Sequence, residues 1–421
     1  MRVHLISGLG CALMTASTLA DAHQLDLGIG QSVRMESNIF GSATDPITDG
    51  TYRIIPDVNL SGSFDKFSGG SYEVSYQPSY LWYFRSEGVN GLDNKANGSA
   101  QIELSRRDQL SASASYTEYS SIQAISEANE DGSFDVLASD QGQTIRAFGS
   151  LGYSRSPDAR SNLRLNLDFQ DYGYTESRNI GNKSIGVTTS YNRAGSRRLT
   201  LGASVSARYR FFDEQQFQQQ VVEGSTVVVT NINALATYKV TPNVVFDFQG
   251  GPSLIRTQPG SVVGRPKPET NSDFTYFMNM SLRRDFKNSN LRLNYVRNED
   301  PSGGSSRTSV LDTLSIVLNT KLSELWRGSA IAGWSRRRTV DAFLILNPVT
   351  NQPLPFSQET QLDRAWISLG VNRRLDERIL LRLNFRYQSW IDYEVGGVKL
   401  PTQDNYTGSM TLNYQFSPYI F

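Results

Sequence analysis

The chain has 421 residues, with 41 Lys and Arg against 41 Asp and Glu, and its apolar content is 38%. A balanced charge offers no field for a nucleic acid or other polyanion, and no self-repulsion to keep the chain disordered. So few apolar residues are poorly suited to filling a soluble core of this size, whereas a membrane β-barrel needs them only at alternate positions.

Met1-Arg2 leads into a stretch of apolar and small residues from Val3 to about Ala20, and Ala20-Asp21-Ala22 has the A-x-A form of a signal-peptidase site. We expect residues 1–22 to be a signal peptide for the Sec pathway and residues 23–421 to form one mature domain that begins at His23. Ser7, Gly8, Gly10, Thr15 and Ser17 make the stretch too mild for a membrane anchor, which takes about 20 apolar residues. Cys11 is the only cysteine and follows Gly8-Leu9-Gly10, a poor lipobox, so the mature domain carries no thiol and needs no disulfide.

From there on, apolar residues recur at every second position. Such segments fall near 25–36, 51–63, 70–85, 96–106, 109–120, 143–155, 161–174, 182–193, 198–212, 225–239, 243–256, 271–284, 289–299, 307–319, 324–338, 360–374, 377–391 and 403–416, about eighteen in all. Leu163-Arg164-Leu165-Asn166-Leu167-Asp168-Phe169-Gln170 and Leu381-Arg382-Leu383-Asn384-Phe385-Arg386-Tyr387-Gln388 alternate without a fault. Period two collects apolar side chains on one face of a strand and scatters them around a helix. Most segments reach the 9–11 residues that cross a membrane when tilted.

Short polar turns recur at Asp65-Lys66, Arg107-Asp108, Pro157-Asp158-Ala159, Gly195-Ser196, Thr241-Pro242-Asn243, Phe286-Lys287-Asn288, Leu322-Ser323 and Asp376-Glu377. They alternate with longer polar stretches such as 37–50, 121–142, 213–224, 257–270, 339–359 and 392–402. That rhythm predicts an all-β fold, a transmembrane antiparallel β-barrel with short periplasmic turns, longer extracellular loops and both termini in the periplasm. Tyr80, Trp82, Phe84, Tyr172, Tyr174, Tyr209, Phe211 and Trp390 lie toward the loop-side strand ends, where an interfacial aromatic girdle is expected.

Pro56 and Pro78 are about equally distant from the turn near 65–68, so a hairpin sets them nearly opposite each other and predicts a bend or gap in its ladder. The C-terminus alternates through Leu412, Tyr414 and Phe416 and then runs Ser417-Pro418-Tyr419-Ile420-Phe421. These residues resemble the terminal assembly signal of outer-membrane proteins. Because Pro418 cannot donate to a ladder, the strand is expected to end at Phe416 rather than Phe421.

Catalytic chemistry is not legible. The mature chain has one histidine, His23, and no cysteine, so the barrel body lacks a base for Ser-His or Asp-His hydrolysis and the ligands for a His/Cys zinc site. No P-loop is present, and Gly250-Gly251 and Gly303-Gly304 have no helix after them. Glu127, Glu130 and Asp131 read as a solvated acidic loop. We expect no enzyme and no cofactor.

Alternation assigns Arg146, Arg164, Arg208, Arg210, Arg292, Arg382 and Arg386 to the lumen face, together with Glu73, Glu103, Asp168 and Asp247. Arginine forks bind carboxylates and phosphates, and a positive wall favours anions. The competing reading is that these charges pair across the lumen as packing.

Leu27-Gly28-Ile29-Gly30-Gln31-Ser32, Glu36-Ser37-Asn38-Ile39-Phe40, Ile55-Pro56-Asp57-Val58-Asn59-Leu60-Ser61-Gly62 and Tyr76-Gln77-Pro78-Ser79-Tyr80 follow one another in the first quarter of the mature chain. This quarter resembles the β-barrel porins encoded with exopolysaccharide clusters, including those of PEP-CTERM and exosortase systems. Beyond it only the barrel rhythm matches. The resemblance implies an outer-membrane barrel and suggests envelope-polysaccharide export. Strand number and lumen arginines are also similar to alginate-export barrels, without a local motif.

Three functions fit these readings: a passive channel for an acidic exopolysaccharide, a general diffusion porin with a loop from 121–142 or 339–359 folded inward, or a closed structural or adhesive barrel. The expected partners are outer-membrane lipid, the barrel-assembly machinery and periplasmic polysaccharide-export proteins, with no nucleic acid.

Overall fold

The computed structural model describes residues 22–38, 47–64, 69–86, 90–119, 144–174, 181–217, 220–260, 269–300, 309–339, 360–395, 398–400 and 402–420. Eighteen long strands form its wall: β1 Ala22–Glu36, β2 Asp49–Ser63, β3 Gly70–Tyr83, β4 Gly91–Glu103, β5 Asp108–Tyr119, β6 Thr144–Arg155, β7 Ser161–Tyr174, β8 Asn182–Ala194, β9 Leu199–Phe212, β10 Thr226–Thr241, β11 Val244–Gln258, β12 Asn271–Asp285, β13 Ser289–Asp300, β14 Ser309–Lys321, β15 Trp326–Thr339, β16 Thr360–Arg374, β17 Ile379–Val395 and β18 Gln403–Gln415. Each pairs antiparallel with the next, and β18 pairs with β1 from Gly28↔Gln415 to Glu36↔Thr407. The sheet therefore closes on itself, as a sheet that spans lipid must. Val398–Leu400 extends β17, and Gln215–Phe217 with Gln220–Val222 forms a separate small hairpin.

Every expected segment holds one wall strand. The fourth differs most, beginning at Gly91 rather than 96. On the outer face of its first half the polar Asn94 stands between Leu92 and Ala96, accepting from Tyr76 Oη at 2.9 Å and donating to Glu118 at 3.1 Å, so the apolar period is broken there.

The short connections share one end of the barrel, the turn end, with both chain termini of the wall. Several are built alike. Ser105 Oγ accepts from the N–H groups of Arg107 and Asp108, Ser196 Oγ from Arg198 and Leu199, and Ser323 Oγ from Leu325 and Trp326. A side-chain acceptor that close in sequence replaces a ladder bond and holds the turn tight. Gly69 takes φ 75°, which a side chain would oppose.

Pro56 and Pro78 lie directly opposite each other. Pairing of β2 with β3 stops at Ile54↔Tyr80 and resumes at Val58↔Tyr76. Gln77 bridges the gap on the inner side, donating to Asp57 Oδ1 at 3.0 Å. A second break, with no counterpart in the sequence reading, falls between β10 and β11. Pairing skips from Asn231↔Ser253 to Ala234↔Gly250 around Gly251-Pro252, and a Cβ at Gly251 would lie 2.0 Å from the carbonyl oxygen of Ile232. At the C-terminus the chain does not leave the sheet at Phe416. Phe416 N donates to Leu27 O at 2.9 Å, and after Ser417-Pro418 the residues Tyr419 and Ile420 pair with Leu25 and Gln24. Pro418 interrupts the ladder without ending it.

Candidate functional site

The register and the exposures assign the two faces. Leu151 (56% exposed), Leu167 (45%) and Val205 (51%) stand outward, along with Leu165, Phe169, Ile185 and Leu201. Leu412 and Tyr414 share this face, and Tyr414 meets Phe416 edge-on at 5.0 Å. The outer wall is thus apolar over its middle, as lipid requires. Tyr80, Trp82, Phe84, Tyr209 and Phe211 stand outward at the loop end. Tyr172 and Trp390 do not join them: Tyr172 lies opposite Arg146, and Trp390 opposite Arg364, on the inner face. The aromatic content of strand ends therefore divides between an interfacial girdle and the lumen. The girdle also carries ion pairs that the sequence reading missed. Arg297 holds Asp312 at 3.0 Å and covers the Tyr276 ring, and Arg336 holds Asp363 at 2.6 Å beside Trp334.

On the inner face the register sets Arg146, Arg164, Arg208, Arg210, Arg292, Arg382, Arg386, Glu73, Glu103, Asp168 and Asp247. They fall into two groups by depth. Glu73, Glu103, Arg164, Arg292 and Arg382 lie in the turn-end half and are exposed. Asp247, in the same half, is held by Thr237 Oγ1 at 2.7 Å. Arg208 sits at mid-depth, where it binds Asp168 at 2.6 Å across the intervening strand β8. Gly186 makes that reach possible, because a Cβ there would lie 2.7 Å from the Asp168 carboxylate. Arg210 and Arg386 lie in the loop-end half at 1% and 8% exposure. Arg386 donates to Gln388 Oε1 at 2.7 Å.

Arg210 is ion-paired with Glu299. The two residues belong to β9 and β13, with three strands between them. Strands are spaced about 4.8 Å apart, so the pair would be some 19 Å apart along the wall. The pairing of β12 with β13 stops at Met278↔Arg297, while β12 stays paired with β11 up to Asn271. The upper end of β13 has therefore parted from β12 and comes within ion-pair reach of β9.

Further inward charges escaped the sequence reading. Arg53 pairs with Asp93 at 3.0 Å, and Arg34 with Glu36 at 2.8 Å, with Asn405 donating to the same Glu36 at 2.7 Å. Arg364, almost fully buried, lies 5.8 Å from the centre of the Trp366 ring. Asp49, also buried, accepts from the N–H groups of Gly50, Arg85 and Ser86 and so fixes the chain where β3 leaves the wall. The signal for these residues was parity within strand ends whose apolar period had faded.

The loop-end half also carries inward apolar residues. Phe212 and Val227 are fully buried and pack with Val229 and Ile255; Leu81, Tyr83 and Trp366 are buried too. Val227-Val228-Val229 is apolar on both faces, so alternation alone could not show which valines turn inward. Glu127, Glu130, Asp131, the stretches 121–142 and 340–359, the expected signal residues 1–21, Asp65-Lys66, Gly303-Gly304 and Phe421 lie outside the described residues.

No protein-family model matches the chain, and no curated relative does. Among solved structures it is similar to the closed form of the ferric-catecholate import receptor Fiu of E. coli K12, at 9% identity and a TM-score of 0.48, over 93% of this chain and 82% of that one. It is also similar to the siderophore receptor PiuA of Acinetobacter baumannii, at 10% identity and a TM-score of 0.47 over the same shares, and to the iron transporter FrpB of Neisseria meningitidis, at 7% identity and a TM-score of 0.47.

Proposed function

We propose that the protein is an outer-membrane channel that passively conducts an acidic polymer, an exopolysaccharide in our reading. Residues 1–22 act as its Sec signal, the turn end faces the periplasm, and Leu412, Tyr414, Phe416 and Phe421 serve recognition by the barrel-assembly machinery. The observation that carries the reading is the concentration of arginine on the inner wall of a chain without net charge: Arg34, Arg53, Arg146, Arg208, Arg210, Arg364 and Arg386 all lie at mid-depth or in the loop-end half. Each guanidinium presents five donors, so a passing carboxylate can exchange with a wall carboxylate. The exposed charges Glu73, Arg164, Arg292 and Arg382 line a wet vestibule on the periplasmic side. Direction comes from a gradient or from periplasmic polysaccharide-export proteins.

Recording from the purified protein in a planar bilayer tests this reading. The expected result is discrete, anion-selective steps that an acidic polysaccharide blocks. Steps without anion preference would favour a general diffusion porin. A silent bilayer would overturn the channel and leave a closed structural barrel, the reading that the buried Phe212 cluster favours.

A further inference from the structure

One exposed aromatic of the wall, Phe148, stands on the inner face. Phe148 on β6 has the parity of Arg146 and Ser150, opposite to the lipid-facing Leu151, so its ring enters the lumen. It is 37% exposed. Its cross-strand neighbours are Ser115 on β5 and Gln170 on β7. With Arg146 and Ser150 on either side of it along β6, every register neighbour of the ring is polar, so it stands as a single apolar surface among hydrogen-bonding groups.

The polar groups around it are held in place. The Arg146 guanidinium lies between two rings, 5.9 Å from the centre of Tyr119 and 5.7 Å from that of Tyr172. Cation–π contact on both sides fixes its plane. Gln170 accepts from Ser184 Oγ at 3.4 Å, and Ser150 shares a 2.7 Å hydrogen bond with Ser113. One row deeper, the Arg208–Asp168 pair crosses Gly186. The result is an exposed aromatic platform with a fixed guanidinium on its loop side and an amide and hydroxyls beside it.

We propose that Phe148, Arg146 and Gln170 form a subsite for one uronic-acid residue of a polysaccharide, in the loop-end half of the lumen. The C–H face of a pyranose is apolar and fits the negative face of an aromatic ring. The carboxylate on the sugar ring meets Arg146, and the Gln170 amide meets a ring hydroxyl. This subsite rests on the channel reading and gives it a sugar class.

Calorimetric titration of the full-length, detergent-solubilised barrel with tetragalacturonate, and separately with maltotetraose, tests the subsite. The uronate is expected to bind the wild type. Phe148→Ala is expected to weaken that binding about tenfold or more, and Phe148→Tyr, which keeps the ring, to preserve it. Arg146→Gln is expected to weaken the uronate while leaving any maltotetraose binding unchanged. Folding of each variant is checked by heat-modifiable migration. Absence of uronate binding to the wild type, or equal binding by wild type, Phe148→Ala and Arg146→Gln, would overturn the subsite. Bilayer recordings on the same samples separate the two claims: conduction without uronate binding removes the subsite and leaves the channel, whereas binding without conduction removes the channel and leaves the subsite.

Discussion

The two halves of the lumen are built on different rules although the same strands run through both. In the turn-end half, the inward residues Glu73, Glu103, Arg164, Arg292 and Arg382 are exposed. In the loop-end half, many inward residues are buried whatever their chemistry, Arg210 and Arg364 as well as Trp366, Phe212 and Ile255. Period two tells which way a side chain points, and the surroundings at that depth decide whether it meets water. A barrel can thus have a pore-like half and a core-like half in one wall, and on the channel we propose the core-like half would control passage.

The largest effects should come from the loop-end half. Glu299→Ala strands the buried Arg210 charge and should destabilise the barrel by about 3–5 kcal/mol, read as a lower midpoint in a urea-induced unfolding titration. Trp366→Ala should cost about 3–5 kcal/mol through the cavity it leaves. Arg382→Ala, exposed in the other half, should stay within about 0.5 kcal/mol; equal losses at Trp366 and Arg382 would abolish the distinction. At the boundary between the halves, Gly186→Ala should cost about 1–3 kcal/mol, because the new methyl meets the Asp168 carboxylate and pushes it from Arg208.

Hydrogen exchange offers a finer probe. Amides facing the interrupted ladder between Ile54 and Val58 should exchange faster than those of the continuous β7–β8 pair, and full protection there would contradict the gap. The smallest effect belongs to the turn end. Hydrogen bonds from the backbone N–H of Arg160 and from Ser161 hold the Asp158 carboxyl below its ordinary range. A lowered folded pKa contributes stability above the unfolded value, and that stability is lost as pH falls through the folded one. Wild type should therefore exceed Asp158→Asn slightly at neutral pH, and the gap should close in acid.

Much of the fold was legible because membrane spanning imposes one simple rule on every strand. The faultless runs at Leu163–Gln170 and Leu381–Gln388 gave both strand and face, and the equal spacing of Pro56 and Pro78 from one turn gave the interrupted ladder. What escaped has a common cause. Val227-Val228-Val229 is apolar on both sides, the outward row of Leu92, Asn94 and Ala96 is broken by its polar member, and Trp366 and Phe148 are aromatics at lumen parity. In each, one-dimensional pattern carries no period, and only pairing register can assign the face. The partnership of Arg210 with Glu299 is less legible still, because it joins strands distant in both sequence and wall order.

The most direct test is the reversal potential across a bilayer in a salt gradient, compared between Arg208→Glu/Arg210→Glu and Arg164→Glu/Arg292→Glu/Arg382→Glu. Control by the core-like half predicts that the first pair moves an anion-selective potential toward cations and that the second set, though larger in charge, moves it much less. An equal or larger shift from the second set, or none from the first, would contradict it.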